Sequence, residues 1–578
     1  MSLIAAMNIG RTGLVASQLG IQVSSNNIAN VSTPGYSRQV GVLSPIRGNT
    51  IGTNLTIGNG VLMRDIRRQV DDALQQRLWH AGSDEAAARS YSGILGQIEA
   101  SLGELGDNDL SSEFTAFFRA WSERANQTQA NSTVVQSGQR LADFMARLRG
   151  ELVDQKRSMD DQLATQVERA NSLITTIADL NRAISSSEGG GGTASALRDQ
   201  RGQALTELSQ LMDITVIDQG SQGADVLVGS MPIILGGQGR EIEAQQLTQG
   251  GSTQVRIRIA SNQQELSISS GEIGAALTGR DDAINSVIET LDRTAGQLAF
   301  EVNRLHSTGT NAKGLQDTIG TLSFTNADRT RALNDPNNQA TGVLPYGATH
   351  GGFTVTVRNE GTGATSTLRI PVDLDGIDAS GQAGFGDDTS AEDIRAAIDG
   401  IEGLTATFSA DGKLQVTAAG GFKFAFSDDN SGALAVMGMN SFFIGTDASN
   451  LTVRADLIED TSRLTTGRIV DGEFVENGTA LEIAKLQEKA LTNLQGRTIA
   501  EAWRDSAQAI GVQAAAAGTT LEAAASVRAS LEAQRAGISG VSIDEESVNL
   551  MNFQRMYQAS ARVISVADEL TQTLLSLV

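Results

Sequence analysis

The chain has no cysteine and only three histidines among its 578 residues. Without cysteine there is no disulfide, no thiolate metal centre and no cysteine nucleophile, and the redox compartment leaves no mark. His80, His306 and His350 stand far apart in sequence, which leaves little material for a zinc site or a histidine acid–base centre. Nowhere do 18 apolar residues run together, so no membrane insertion is expected. The opening MSLIAAMNIGRTG has no charged leader, and its apolar stretch is broken by Asn8, Gly10 and Arg11, unlike a cleaved secretory signal. Positive charge is also scarce: 44 Lys and Arg against 67 Asp and Glu give a net charge of -23. Such a chain repels polyphosphate backbones and anionic lipid, so nucleic acid is not an expected partner. On these facts alone it reads as cytoplasmic. The missing cysteine, the 4% of aromatics and the 62 glycines equally suit a subunit exported unfolded without a cleaved signal.

The length suits three or four domains of about 100–200 residues each. The ends carry the clearest pattern. Met7, Leu14, Ile21 and Ile28 recur every seven residues, predicting one narrow apolar seam along a helix of about 40 Å. Residues 1–40 contain no Asp, Glu or Lys, so the polar face rests on Ser, Asn and Gln and favours contact with other surfaces over free solvation. At the other end Phe553, Met556, Ser560, Val563, Ala567, Leu570, Leu574 and Leu577 step by threes and fours. Ser542 is the expected N-cap, with Glu545 three residues on as in a capping box and Asp544 and Glu546 favourable at the positive helix end. Either seam could pack within its own core; ends of this length bury more readily against each other and against neighbouring copies.

Between the ends, Met159, Leu163, Ala170, Leu173, Ile177, Leu180 and Ile184 mark one bundle helix, and Ile284, Ile288, Leu291, Ala295, Leu298, Val302 and Leu305 another. Residues 194–212 and 482–536 supply further helix, the first after the non-helical run Gly189 to Gly192. Strands are expected over 214–270, where Val255, Ile257 and Ile259 alternate with arginines, and over 350–455, with a hairpin turning at Asp411-Gly412 and a short helix over 393–401. The predicted architecture is mainly α with β-rich insert domains: an elongated multidomain rod, its N- and C-terminal helices paired in a coiled-coil-like base, then a helical bundle and projecting β domains. The expected boundaries are 1–40 with 541–578 for the terminal assembly domain, and 41–213, 271–322 and 471–540 for the bundle. A β subdomain is expected over 214–270 and an outer variable domain over 323–470.

The stretch from Asn26 through Asn30, Thr33, Pro34, Gly35 and Tyr36 to Gln39 resembles the signature shared by the axial proteins of the bacterial flagellum. Its Thr-Pro-Gly-Tyr-Ser-Arg-Gln form is similar to the hook-associated members of that family. Physically, Pro34 denies Thr33 the helical region and Gly35 permits a left-handed turn, so the first helix must stop here. Ile57 to Val61 followed by Ile66-Arg67-Arg68, Leu197 to Arg201, and Gly540 to Glu546 leading to Gln554 and Tyr557 resemble further blocks of the family in the same order. The resemblance covers roughly 1–320 and 480–578; residues 323–470 match no family motif. It implies an adaptor at the hook–filament junction, exported unfolded by the type III route and assembled as copies through its terminal helices. Implied partners are hook protein, the next junction protein towards the filament, copies of itself and an export chaperone on the C-terminal segment. The implied location is extracellular, on the flagellum. The resemblance also implies ends that are largely disordered before assembly. That fits the seams, since one narrow stripe offsets little of the roughly 1–2 kcal/mol lost per ordered residue.

Other constellations carry weaker readings. Asp373 to Asp378 has oxygen ligands at calcium-like spacing but lacks the glycine and glutamate of an EF-hand, so a plain turn is expected. Gly236-Gly237-Gln238-Gly239 has no Lys-Ser/Thr after it to hold phosphate. Asp281/Asp282 and Asp428/Asp429 are expected on solvated surface rather than in an acid–base pair. Arg198, Asp199 and Arg201 suit ion pairs or bare surface equally. Asp544, Glu545 and Glu546 read first as helix-start charges, with contact to Arg11 or Arg38 as a second possibility. No catalytic, cofactor or metal residue is assigned. A secreted hydrolase with flagellar-type ends and an active site in 323–470 is the competing class. A hook or filament relative, forming long homopolymers, is a third.

Overall fold

The computed structural model describes residues 3–51, 55–103, 109–127, 130–190, 192–249 and 252–576. Its longer helices are α1 (Leu3–Ala29), α2 (Asp72–Leu102), α3 (Leu110–Asn126), α4 (Asn131–Glu188), α5 (Ser195–Leu211), α6 (Gly271–Thr278), α7 (Asn285–His306), α8 (Ala391–Asp399), α9 (Gly478–Lys485), α10 (Ile499–Ser539) and α11 (Ile543–Ser576). Its longer strands are β1 (Gln39–Pro45), β2 (Val61–Arg68), β3 (Ile214–Asp218), β4 (Ala224–Val228), β5 (Met231–Leu235), β6 (Ile242–Gln249), β7 (Ser252–Ile259), β8 (Asp317–Ser323), β9 (Gly351–Asn359), β10 (Thr365–Val372), β11 (Leu404–Phe408), β12 (Lys413–Ala418) and β13 (Phe422–Ser427). The chain divides into two compact units, one of residues 1–95, 158–281 and 514–578, the other of 96–157 and 282–513.

In the first unit β1 and β2 form an antiparallel ribbon, with Gln39 opposite Arg68 and Pro45 opposite Val61. This ribbon falls largely within the stretch 41–213 expected to be helical bundle. Val40, Leu43 and Leu62 remain exposed, so the ribbon lacks the strict alternation that betrays a strand. The expected β subdomain forms an antiparallel meander of β3, β4 and β5 and a hairpin of β6 with β7. Val255, Ile257 and Ile259 are buried, as their alternation with arginines requires. They join Leu163, Val167, Ile174 and Ile177 of α4 and Leu205 and Leu208 of α5 in one core. Each such side chain contributes roughly 1.5–3 kcal/mol on burial.

The second unit has two three-stranded sheets, β8-β12-β11 and β10-β9-β13, both antiparallel. Helix α8 opens on a complete capping box between Ser390 and Asp393, and its Ile394 and Ile398 enter the core with Phe353, Phe424 and Phe426. The hairpin at Asp411-Gly412 joins β11 to β12, Phe408 facing Leu414. Elsewhere in the unit Phe117 and Trp121 of α3 meet Phe442 and Phe443, and Phe118 meets Phe117, edge to face or tilted, at centroid distances of 4.8–6.3 Å.

His306 is sealed inside this aromatic group. Its Nδ1 lies 2.6 Å from the Asn440 carbonyl, which fixes the proton on Nδ1, and its Nε2 lies 3.3 Å from the Thr465 hydroxyl. Burial lowers its pKa from 6.5 to about 4. Since the unfolded chain protonates first, this contribution is whole above about pH 6.5 and is lost as pH falls towards 4, a cost of roughly 3 kcal/mol. Denaturant midpoints taken across that range should fall for the native chain, and the slope should flatten in a His306→Gln variant.

Candidate functional site

The two chain ends meet in the first unit. Helix α1 stops at Ala29, before Pro34 demands it, because a closed turn takes over its last carbonyls. Asn30 Nδ2 donates to the Asn26 carbonyl at 2.9 Å, and the Thr33 hydroxyl donates to Asn30 Oδ1 at 3.2 Å. Gly35 adopts φ +79°, the left-handed conformation that favours glycine. The turn thereby brings Tyr36 back onto Asn27, whose buried Oδ1 accepts from the Tyr36 hydroxyl at 2.7 Å and from Gln39 N–H at 3.0 Å. Asn27 Nδ2 donates to the Gln39 carbonyl at 2.8 Å, so one amide side chain pairs with the first strand residue as a neighbouring strand would. Burial, with the Asp199 carboxylate nearby, raises the Tyr36 pKa to about 12 and keeps the phenol a donor.

Ser37 and Arg38 tie this turn outward. Asp199 on α5 accepts from Ser37 through both its N–H and its hydroxyl, and from Arg68 Nη1 at 2.9 Å. Burial nonetheless pushes the Asp199 carboxyl upward, against the pull of Arg68. Of the two readings left open for this block, the structure shows ion pairs: Arg198 clamps Glu188 at 2.8 Å through two nitrogens, and Arg201 reaches Asp218 at 3.0 Å. Arg68, Arg198 and Arg201 line a cavity of about 480 Å³ beside Gly35, and each is committed to a structural partner.

Arg38 holds the start of α11. Its Nε donates to Glu546 and its Nη1 to Glu545, both at 2.8 Å, and its N–H donates to the Ser539 carbonyl at 3.1 Å. The Glu546 side chain is 3% exposed and that of Glu545 63%. The contact read as a second possibility is therefore made by Glu545 and Glu546, through Arg38, while all three carboxylates also stand in the first turn of α11; Arg11 is exposed. Ser542 caps the helix as expected, accepting from Glu545 N–H at 3.4 Å.

From there α11 runs antiparallel to α1, the face of α1 near Gly10 meeting Ile564 and Ser560 and that near Gly20 meeting Phe553. The buried residues of α1 are Gly10, Gly13, Ala16, Ser17, Gly20, Val23, Ser24 and Asn27, and of these Gly10, Gly13 and Gly20 lie against α11. A Cβ on Gly10 would fall 2.7 Å from the Ile564 side chain and one on Gly13 2.5 Å from the Ser560 hydroxyl, so the backbones approach as only glycine allows. This corrects the predicted pairing of the two apolar seams. Met7, Leu14, Ile21, Ile28 and Phe553 are half-buried. Met556, Val563, Leu570 and Leu574 are 40–53% exposed, and Leu577 lies outside the described residues. Glycine and serine were read as spacers, but their own spacing of threes and fours marked the contact face.

One carboxylate of each pair expected on solvated surface is structural instead, while Asp282 and Asp428 are exposed as expected. Asp281 joins Asp160 on the buried guanidinium of Arg280. Asp429 accepts from Ser431, Gly432 and Leu434 N–H groups and is raised by burial. Gly236 N–H is held by Asp225 at 2.9 Å in a hairpin turn, an ordinary structural use of that glycine cluster.

Two helices brought together at opposite chain ends, with a signature turn between helix and strand, define an axial structural subunit of the bacterial flagellum. The comparisons bear this out: a profile of flagella basal body rod protein matches residues 7–36, and that of the flagellar basal body rod FlgEFG protein C-terminal matches 533–577. The profile of the flagellar hook-associated protein FlgK helical domain matches 95–322. Flagellar hook-associated protein 1 of Escherichia coli is 23% identical across 99% of both chains. That of Salmonella typhimurium is 24% identical across 99% of both. That of Bacillus subtilis is 24% identical across 98% of this chain and 97% of its own. Over almost its whole length the chain is similar to flagellar hook-associated protein 1.

Arg38→Ala should strand Glu546 and cost about 2–4 kcal/mol in the local opening of α11 read by hydrogen exchange, whereas Glu545→Ala should cost under about 1 kcal/mol. Gly20→Leu should open the same helix by about 1–3 kcal/mol through overlap with Phe553.

Proposed function

We propose that this chain is the structural adaptor that joins the flagellar hook to the filament, working through contacts rather than catalysis. The observation that carries this reading is the division of labour on the terminal helices. Glycines of α1 receive Phe553 and Ile564 of α11, while four other large apolar residues of α11 stay exposed. Met556, Val563, Leu570 and Leu574 then form a stripe that one chain cannot cover, as a subunit completed by its neighbours requires. Met7, Leu14, Ile21 and Ile28 add partly covered apolar surface to the same assembly face.

In this reading copies of the chain pack through α1 and α11. Hook protein lies on the cell side, the next junction protein on the filament side, and the assembled protein sits outside the cell. Export proceeds unfolded, with a chaperone covering the apolar stripe of the C-terminal segment until assembly. The turn at Asn30, Thr33, Pro34, Gly35 and Tyr36 fixes where the assembly helix ends and the rest of the subunit begins.

A strain lacking the gene should keep its hooks and shed filament subunits into the medium; filaments attached as in the parent would contradict the proposal. Val563→Asp with Leu570→Asp should leave the stability of the purified chain within about 0.5 kcal/mol, because both positions are exposed, yet abolish filament attachment in a motility and electron-microscopy assay.

A further inference from the structure

The sheet of β10, β9 and β13 carries opposite charge at its two ends. At one end Arg358 and Lys423 stand directly opposite each other on β9 and β13. Like charges at paired positions repel. Lys313 joins them from the loop before β8, and all three line one cavity of about 300 Å³. No carboxylate lines that cavity, and the neutral donors Thr310, Asn311, Thr356 and Thr365 do. Lys423 Nζ is held only by the Gln316 amide at 2.8 Å, and among the described residues none of the three cations has an ion pair. Two of the chain's six lysines are thus spent on an unneutralised cluster in a protein of net charge -23.

The other end of the same strands is acidic. Gly351 pairs with Val372, and the segment that follows, 373–388, contains five aspartates and no lysine or arginine. Asp375 and Asp387 are exposed in it, beside the exposed apolar side chains of Ile377 and Phe385. Phe474, 39% exposed, offers an apolar counterpart at the basic cavity. From the rung at Gly351 to that at Arg358 is about 23 Å at 3.3 Å per residue, and the loop is closed on itself at the far end, Gly384 N–H donating to the Gly376 carbonyl at 3.0 Å and Gly376 N–H to Asp388 at 3.2 Å, away from the cavity of its own sheet.

We propose that the cavity bounded by Lys313, Arg358 and Lys423 receives the acidic 373–388 loop of a second copy of this chain, in a head-to-tail contact between neighbouring subunits. An isologous contact would join both cavities to both loops in one closed pair; a heterologous one leaves a cavity and a loop free at each end and so repeats along a ring or a helical row, as a subunit assembled in copies requires. The proposal rests on the reading of the chain as a subunit assembled in copies, and it gives the stretch that matched no family motif a task within that assembly.

The full-length chain, mixed from two isotope-labelled preparations at low salt and treated with a zero-length amine–carboxyl crosslinker, should yield mixed-isotope peptides joining Lys313 or Lys423 to the 373–388 segment. By sedimentation velocity, Arg358→Glu with Lys423→Glu, and separately Asp375→Arg with Asp387→Arg, should each weaken association about tenfold or more. Mixing the two variants should restore it, since each then offers what the other lacks. Crosslinks confined to one isotope, or none at these residues, or a mixture no better than its parts, would overturn the proposal. Association equal in wild type and both variants would overturn it too, while leaving assembly through α1 and α11 standing.

Discussion

Everything at the chain ends depends on Arg38 reaching Glu546. That carboxylate is almost wholly buried, and a buried charge without its partner costs several kcal/mol. The guanidinium therefore sets where α11 begins, and the signature turn sets where the guanidinium stands. Asn27 closes the turn by pairing with Gln39, and Asp199 secures Ser37 from α5. A residue type that matters for its backbone, such as Gly35, and one that matters for its charge, such as Arg38, serve one purpose three positions apart.

The packing of α1 on α11 follows a different logic from that of an ordinary amphipathic pair. Large apolar residues would hold two helices together by burial and leave little outside. Glycine and serine instead bring the backbones close while covering modest apolar area, and α11 keeps Val563, Leu570 and Leu574 for something else. In the proposed assembly, neighbouring subunits cover that reserve. The second unit is built conventionally by contrast, with phenylalanines and tryptophan interlocked around a neutral histidine, and its unusual feature is the separation of charge along one sheet.

Much of this was legible in the residues. The alternation of Val255, Ile257 and Ile259 gave a buried strand face, Asp411-Gly412 gave a hairpin, and Asn30 to Tyr36 gave the helix stop and the family. What escaped was decided by tertiary geometry. The ribbon of β1 and β2 escaped because neither strand alternates cleanly. The contact face of α1 escaped because hydrophobic periodicity finds large side chains, whereas here the contact belongs to the small ones. Asp281 and Asp429 were expected in solvent because nothing local shows that Arg280 is buried or that a short helix after Ser431 needs its N–H groups capped.

The central claim is that the apolar stripe of α11 is open on the single chain and covered in the assembly. Since the chain has no cysteine, a Leu570→Cys substitution gives a unique thiol whose labelling by a maleimide can be followed in both states. The account predicts rapid labelling of the purified chain and strong protection in isolated flagella. Equal reactivity in the two states would contradict it.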